Sequence, residues 1–187
     1  MFGKVVAFFL VGLAAQSATL TATSGQTSHS VGDHVLVDFT ISNVADLYAF
    51  QFDVSFDPAI LLAQSVAETG YFLSNGVSFS SGTIDNSAGS IRFIADALSG
   101  SSPTVNGSTA LVSVTFAAVG SGTTNVVPTN LILLDSHLSD ISANAVSTPI
   151  QVSGTNVPEA SSYELISVGF MLLIAVRHVK LHLRKHS

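Results

Sequence analysis

The sequence has no cysteine, and only six of its 187 residues are lysine or arginine. Without cysteine there is no disulfide framework and no thiolate chemistry, so a packed core alone must hold the fold. The few basic residues are also unevenly placed. Lys4 lies near the N-terminus, and Arg177, Lys180, Arg184 and Lys185 lie near the C-terminus. Arg92 is therefore the one Lys or Arg between Thr19 and Val157, where it faces ten carboxylates and leaves a formal charge of −9. Such a surface repels phosphate backbones and anionic headgroups, which excludes nucleic acid as a partner.

Catalytic signatures are missing too. Serine, histidine and aspartate are all present, but no Gly-x-Ser-x-Gly elbow and no His-Glu-x-x-His metal signature occurs. The carboxylates are scattered about one per strand or turn, so nothing marks a glycosidase pair. Asp135 and Asp140, with Ser136 and Ser139 between them, offer oxygens to Ca²⁺, yet the EF-hand repeat and its glycine are absent. His29, His34 and His137 read as ordinary exposed residues. The expectation is a protein that is not an enzyme, with no cofactor and no metal assigned.

Both ends are apolar, and they account for most of a mean hydropathy of +0.54. Residues 1–18 carry Lys4, the run Val5–Ala15 and then Gln-Ser-Ala, the three parts of a secretory signal peptide. Cleavage after Ala15, Ser17 or Ala18 fits equally. At the other end Leu165–Val176 is a charge-free, largely apolar run of 12 residues followed by the basic cluster. Residues 163–187 are thus expected to form a transmembrane helix near the lower length limit, with its basic tail kept cytoplasmic. Residues 155–162 form a linker.

Between the ends, period two dominates. In Tyr48–Phe56 every even position is apolar (Tyr48, Phe50, Phe52, Val54, Phe56), while Ala49, Gln51, Asp53 and Ser55 are small or polar. In a strand this places one set on the core face and the other outside. Asp57-Pro58 then ends the ladder, because proline has no N–H to donate. Val35–Ile41 repeats the alternation, and Asn43–Leu47 is read as a turn joining the two. Further strands are expected over Ala18–Thr23, Ile60–Val66, Val77–Ser81, Ser90–Leu98, Ala110–Val119, Thr123–Leu134 and Ala145–Val152. In Ala110–Val119 the inward set is Val112, Val114, Phe116 and Ala118, and Leu111, Ser113 and Thr115 point out. Ser24–Gly32 and Gly100–Ser108 are read as loops. About nine strands without helical periodicity argue for an all-β domain over residues 19–154, a jelly roll or β-sandwich.

The succession Ser30-Val-Gly-Asp33, Asn43-Val, Leu47-Tyr-Ala-Phe-Gln-Phe-Asp53, Phe56-Asp-Pro58, Gly89-Ser-Ile-Arg-Phe-Ile-Ala-Asp96, Ala110-Leu-Val-Ser-Val-Thr-Phe116 and Leu131–Asp135 resembles the cohesin family over most of that domain. The resemblance implies a flattened jelly roll that binds dockerin modules on cellulose-degrading assemblies, or works beside carbohydrate-binding modules in polysaccharide catabolism. It also implies recognition positions two residues apart on the strand before Asp57-Pro58. Here these are Ala49 and Gln51, where dockerin-binding cohesins use Asn and Asp, so the pair has lost its charge. The outward residues Gln51, Asp53, Ser55, Ser113 and Thr115, with Arg92 or Asp96, are expected to form a flat polar platform. Its partner would be a dockerin-like protein or an extracellular polysaccharide, with a structural role in the extracellular matrix as the alternative. Val157, Pro158 and Glu159, followed by the apolar run and basic end, resemble the PEP-CTERM sorting signal recognised by an exosortase. Together these imply an exported protein held at the cell envelope.

Overall fold

The structure, a computed structural model, describes residues 17–100 and 102–154. The segments read as signal peptide, linker, sorting motif (Val157, Pro158, Glu159) and transmembrane helix lie outside the described residues, apart from the last two residues of the first. Among the described residues no helix is long and apolar enough to cross a membrane.

The chain is organised by one strand of 22 residues, β3 (His34–Ser55). Before it come β1 (Ala18–Ser24) and β2 (Ser28–Ser30). After it come β4 (Leu61–Glu68), a one-turn helix α1 (Phe72–Asn75), β5 (Ser80–Asp85) and β6 (Ser90–Ala97). The last elements are β7 (Val105–Ala118), β8 (Gly122–Asp135), β9 (Ala143–Val146) and β10 (Thr148–Ser153).

β3 belongs to both layers. Its first half pairs with β1 and β7, and its second half with β6 and β8. The first layer therefore runs β9-β1-β3-β7-β4, and the second β5-β6-β3-β8-β10-β2. The passage between them occupies the residues expected to turn. Asn43 and Asp46 sit at φ of 54° and 59°, left-handed values that Asn and Asp tolerate better than most residues. The ladder slips twice there, between Ile41 and Val44 and between Val44 and Leu47. Those slips move the inward set from odd positions (Val35, Val37, Phe39, Ile41) to even ones (Phe50, Phe52, Val54, Phe56). The chain bends without leaving the sheet, so a double bulge replaces the turn.

Phe50, Phe52, Val54 and Phe56 are all buried, as the alternation predicts. Rings stitch the layers together. Phe39 meets Phe52 at 5.2 Å, Phe56 meets Phe116 edge-on at 5.1 Å, and Phe72 of α1 meets Phe50 edge-on at 4.9 Å. Each fully buried ring contributes about 1.5–3 kcal/mol by area alone, and the ring pairs add to that. Among the described residues, Ala18–Val152 supply a continuous core of 30 buried apolar side chains, enough for this segment to fold as a unit.

Several strand assignments change. Val77–Ser81 is not a strand: Val77 is 67% exposed and the strand begins at Ser80. The amide of Ser78 is taken by the Asp96 carboxylate instead of a neighbouring strand. Leu111, expected outside, is fully buried, because the β3–β7 register jumps from Val112 to Ala110 and the extra residue turns inward. The loop over Gly100–Ser108 ends early, with β7 starting at Val105. The connector Ser24–Gly32 contains β2, in which His29 is 8% exposed and contacts the Gln26 carbonyl through Nε2, so it is buried rather than exposed. Ala145–Val152 is two strands, because β9 pairs with β1 and β10 with β8 on opposite layers.

Candidate docking surface

On the second layer, Ala49, Gln51, Asp53 and Ser55 share the outer face of β3, as the alternation requires. Their neighbours break the pattern. On β6 the partners run from Phe52↔Ile94 to Val54↔Ile91, so Arg92 and Phe93 together oppose Asp53. On β8 they run from Gln51↔Ile132 to Asp53↔Thr129, so Asn130 and Leu131 together oppose Phe52. Both bulges contain a left-handed residue, Phe93 at φ 64° and Asn130 at φ 50°. For a bulky residue such as phenylalanine that conformation is strained.

Asp53 holds both bulges. One carboxylate oxygen accepts the Phe93 amide at 2.7 Å and the other accepts the Asn130 side-chain amide at 2.7 Å. Its charge is thereby committed to the scaffold. The consequence is to re-aim apolar side chains outward: Phe93 is 56% exposed and Ile132 44% exposed. With Leu134 and the small Ala49, Ala95 and Ala97, they line a trough of about 350 Å³ that Gln51 and Ser78 border. The expected polar platform is therefore an apolar trough with a polar rim.

Three of the predicted residues do not present their side chains on this outer face. Asp96 lies opposite Phe50 on β6, and directly paired residues share a face, so its carboxylate turns inward and is 2% exposed. One oxygen accepts from the Ser78 amide, the Ser78 hydroxyl and the Ala97 amide. Ser113 and Thr115 are on β7 in the first layer, beside Asp38 and Leu36 of β3, and Ser113 donates a hydrogen bond to Asp38. Arg92 is exposed on the β6 bulge, across from Thr83 of β5 and within electrostatic reach of Asp85.

The oxygens proposed for Ca²⁺ also regroup. Asp46, Asp135 and His137 have ligand atoms within 4.8 Å of one another, and Asp140 is not among them. One Asp135 oxygen accepts the His137 and Ser139 amides, and Asp46 accepts from Ser136. Hydrogen bonds from Thr104 and then Ser136 hold the Asp46 carboxyl below the usual range. These carboxylates serve to shape the loop after β8.

Sequence reasoning missed Phe93, Ile132 and Leu134, although two signals were present. Ile91 and Ile94 are both inward at a spacing of three, which a regular strand cannot give. Leu131–Leu134 is apolar throughout, yet a strand buries only alternate residues, so some of that run had to face out.

Comparison with known proteins gives one consistent answer. The family profile "Cohesin domain" matches residues 20–152. Cellulose-binding protein A of Clostridium cellulovorans is 28% identical over 141 residues, which is 74% of this chain but 8% of that protein, so the chain spans only a small part of this relative. A type II cohesin domain from the cellulosome of Acetivibrio cellulolyticus superposes with a TM-score of 0.61 at 17% identity, covering 72% of this chain and 95% of that one. The sixth cohesin of scaffoldin B from the same organism, solved with a mutant Cel5 dockerin, gives 0.59 at 15% identity, covering 74% and 100%. By its strand order, its core and the profile match, the chain belongs to the cohesin-domain family.

Proposed function

We propose that the protein is a non-catalytic docking module whose β5-β6-β3-β8 face receives a dockerin-like protein partner. The observation that carries this is the trough, where Phe93 and Ile132 are left exposed by bulges that a carboxylate holds in place. Exposed apolar side chains grouped inside a polar rim are the usual form of a protein interface. An apolar lining with few hydrogen-bonding groups also suits a partner side chain better than a sugar, which asks for more hydrogen bonding. The dockerin-bound relative supports the class of partner. Ala49 and Gln51 replace charge and much of the hydrogen bonding with apolar contact, so the partner should present an apolar anchor where other dockerins present polar groups.

For localisation we keep the export reading: a signal peptide ending at or before Ala18, exosortase recognition around Val157–Glu159, and at least transient anchoring by the C-terminal helix. Because Ala18 is buried in β1, cleavage after Ala15 or Ser17 leaves the strand whole, whereas cleavage after Ala18 removes its first residue.

Calorimetry of the residue 17–154 domain against a panel of purified dockerin modules tests the docking reading. The expected result is at least one saturable complex that Ile132→Asp weakens roughly 30-fold while the melting temperature stays put. A folded domain that binds no member of the panel, and captures no specific protein from the native exoproteome, would overturn it. A matrix role without a ligand would then stand in its place.

A further inference from the structure

Beneath one edge of the trough is an acidic pair, a buried Asp96 and a half-buried Glu68, that docking does not explain. Asp96 is almost fully buried, and its Oδ2 has no hydrogen-bond partner among the described residues. The same is true of Oε1 of Glu68, at the end of β4. The two carboxyls lie within hydrogen-bonding reach of each other, and neither oxygen has a donor among the described residues. Two ionised carboxylates cannot bond, so one proton held between them is what satisfies both buried oxygens.

Among the described residues the surroundings contain no cation that would serve instead. On β4, Glu68 is the only titratable side chain; the β7 residues paired with that end of β4 include none. The connector over residues 69–79 contributes Tyr71, whose hydroxyl donates to the Pro103 carbonyl, and β3 contributes Tyr48. Arg92, the other titratable group of β6, is exposed and associated with Asp85. Gly76 is pressed against Asp96, with no room even for a Cβ beside Oδ2.

We propose that Glu68 and Asp96 share a single proton and form a latch that fastens the 69–79 connector along the edge of the docking trough, so that alkaline solution loosens that edge. Thr69 and Tyr71 tie the start of the connector to β7 and Pro103, and its end, residues 75–78, is held beside β6 at three points. Asp96 accepts from Ser78, the Val77 amide donates to the Ala97 carbonyl, and Ser99 donates to the Asn75 carbonyl. Ser78 itself borders the trough, which joins the latch to the docking face. Loss of the proton leaves two negative charges side by side in a poorly solvated site. Glu68, the more exposed of the two, would turn toward water, leaving Asp96 charged and Gly76 pressed against it.

Burial, and then the neighbouring Asp96 carboxyl, pushes Glu68 up to about 8. The folded state therefore keeps a proton that the unfolded chain releases near the ordinary value of 4.5. The stabilisation is complete below that ordinary value and is lost as pH rises through about 8.

Urea unfolding of the residue 17–154 domain between about pH 5 and about pH 9, with amide exchange at Ser78, tests the latch. Wild type should show a falling midpoint and a falling Ser78 protection factor, the exchange rate being divided by the base-catalysed rate of a free amide at each pH, as pH rises. Glu68→Gln, whose amide can donate to Asp96 permanently, should hold both nearly constant. Asp96→Asn should flatten the profile as well. A flat wild-type profile, or a Glu68→Gln profile as steep as wild type, would overturn the proposal. The link to docking rests on the proposed function and is read separately. A dockerin from the panel should bind wild type about threefold or more weakly at the alkaline end, and Glu68→Gln equally at both ends. If no dockerin binds at any pH, the docking reading fails while the latch is still decided by stability and exchange.

Discussion

The two outer faces of this domain share a central strand and yet differ in character. On the first layer, β1 presents Thr19, Thr21 and Thr23 outward, and β7 presents Ser113 and Thr115. There the irregularity at Leu111 turns an apolar residue into the core. On the second layer the same device works in the opposite direction: bulges on β6 and β8 flank Asp53, and Phe93 and Ile132 are turned to the outside. A bulge is neutral in itself. Its effect depends on which side chain becomes the extra residue and on what holds the backbone open. On the second layer that is a carboxylate with two donors, and the result is a face suited to a partner rather than to water.

This contrast can be broken or sharpened by substitution. The largest effect should come from beneath both faces. Phe52→Ala, at a fully buried ring packed on Phe39, should cost about 3–5 kcal/mol in denaturant unfolding and impair both layers alike. Ile132→Asp should leave unfolding unchanged and weaken docking by about 2 kcal/mol, a roughly 30-fold loss of affinity by calorimetry. Asp53→Ala joins the two properties. It frees both bulges, so a loss of about 1.5 kcal/mol of stability should accompany weaker docking, with amide shifts concentrated at Phe93 and Asn130. Ser113→Ala removes only the donor to Asp38 on the opposite layer. It should cost about 0.5–1 kcal/mol and leave docking untouched. If Ser113→Ala weakened docking as much as Ile132→Asp, the division between the faces would be wrong.

Much of this was legible beforehand, in a way that follows from how strands bury their residues. The alternation in Tyr48–Phe56 located the centre of the core, and Asp57-Pro58 located the end of β3, because both are properties of a few adjacent residues. The site was less legible. Gln51, Asp53 and Ser55 were placed on the correct face, but Asp96 was taken for a surface group because its inward direction depends on being paired with Phe50, 46 residues away in sequence. Ser113 and Thr115 were placed correctly as outward and incorrectly as neighbours of Gln51. Period two tells which side of a sheet a residue takes, not which sheet it joins.

The amino-acid order alone determined that this chain builds strands, that its domain is acidic and without thiols, and where the central apolar ladder lies, since these follow from side-chain chemistry and local spacing. Tertiary structure decided that β3 passes from one layer to the other at Asn43–Leu47, that Asp53 props open two bulges, and that Glu68 meets Asp96. Each of these arises from residues far apart in the chain meeting across a register, and that register is settled only when all the strands close on one core.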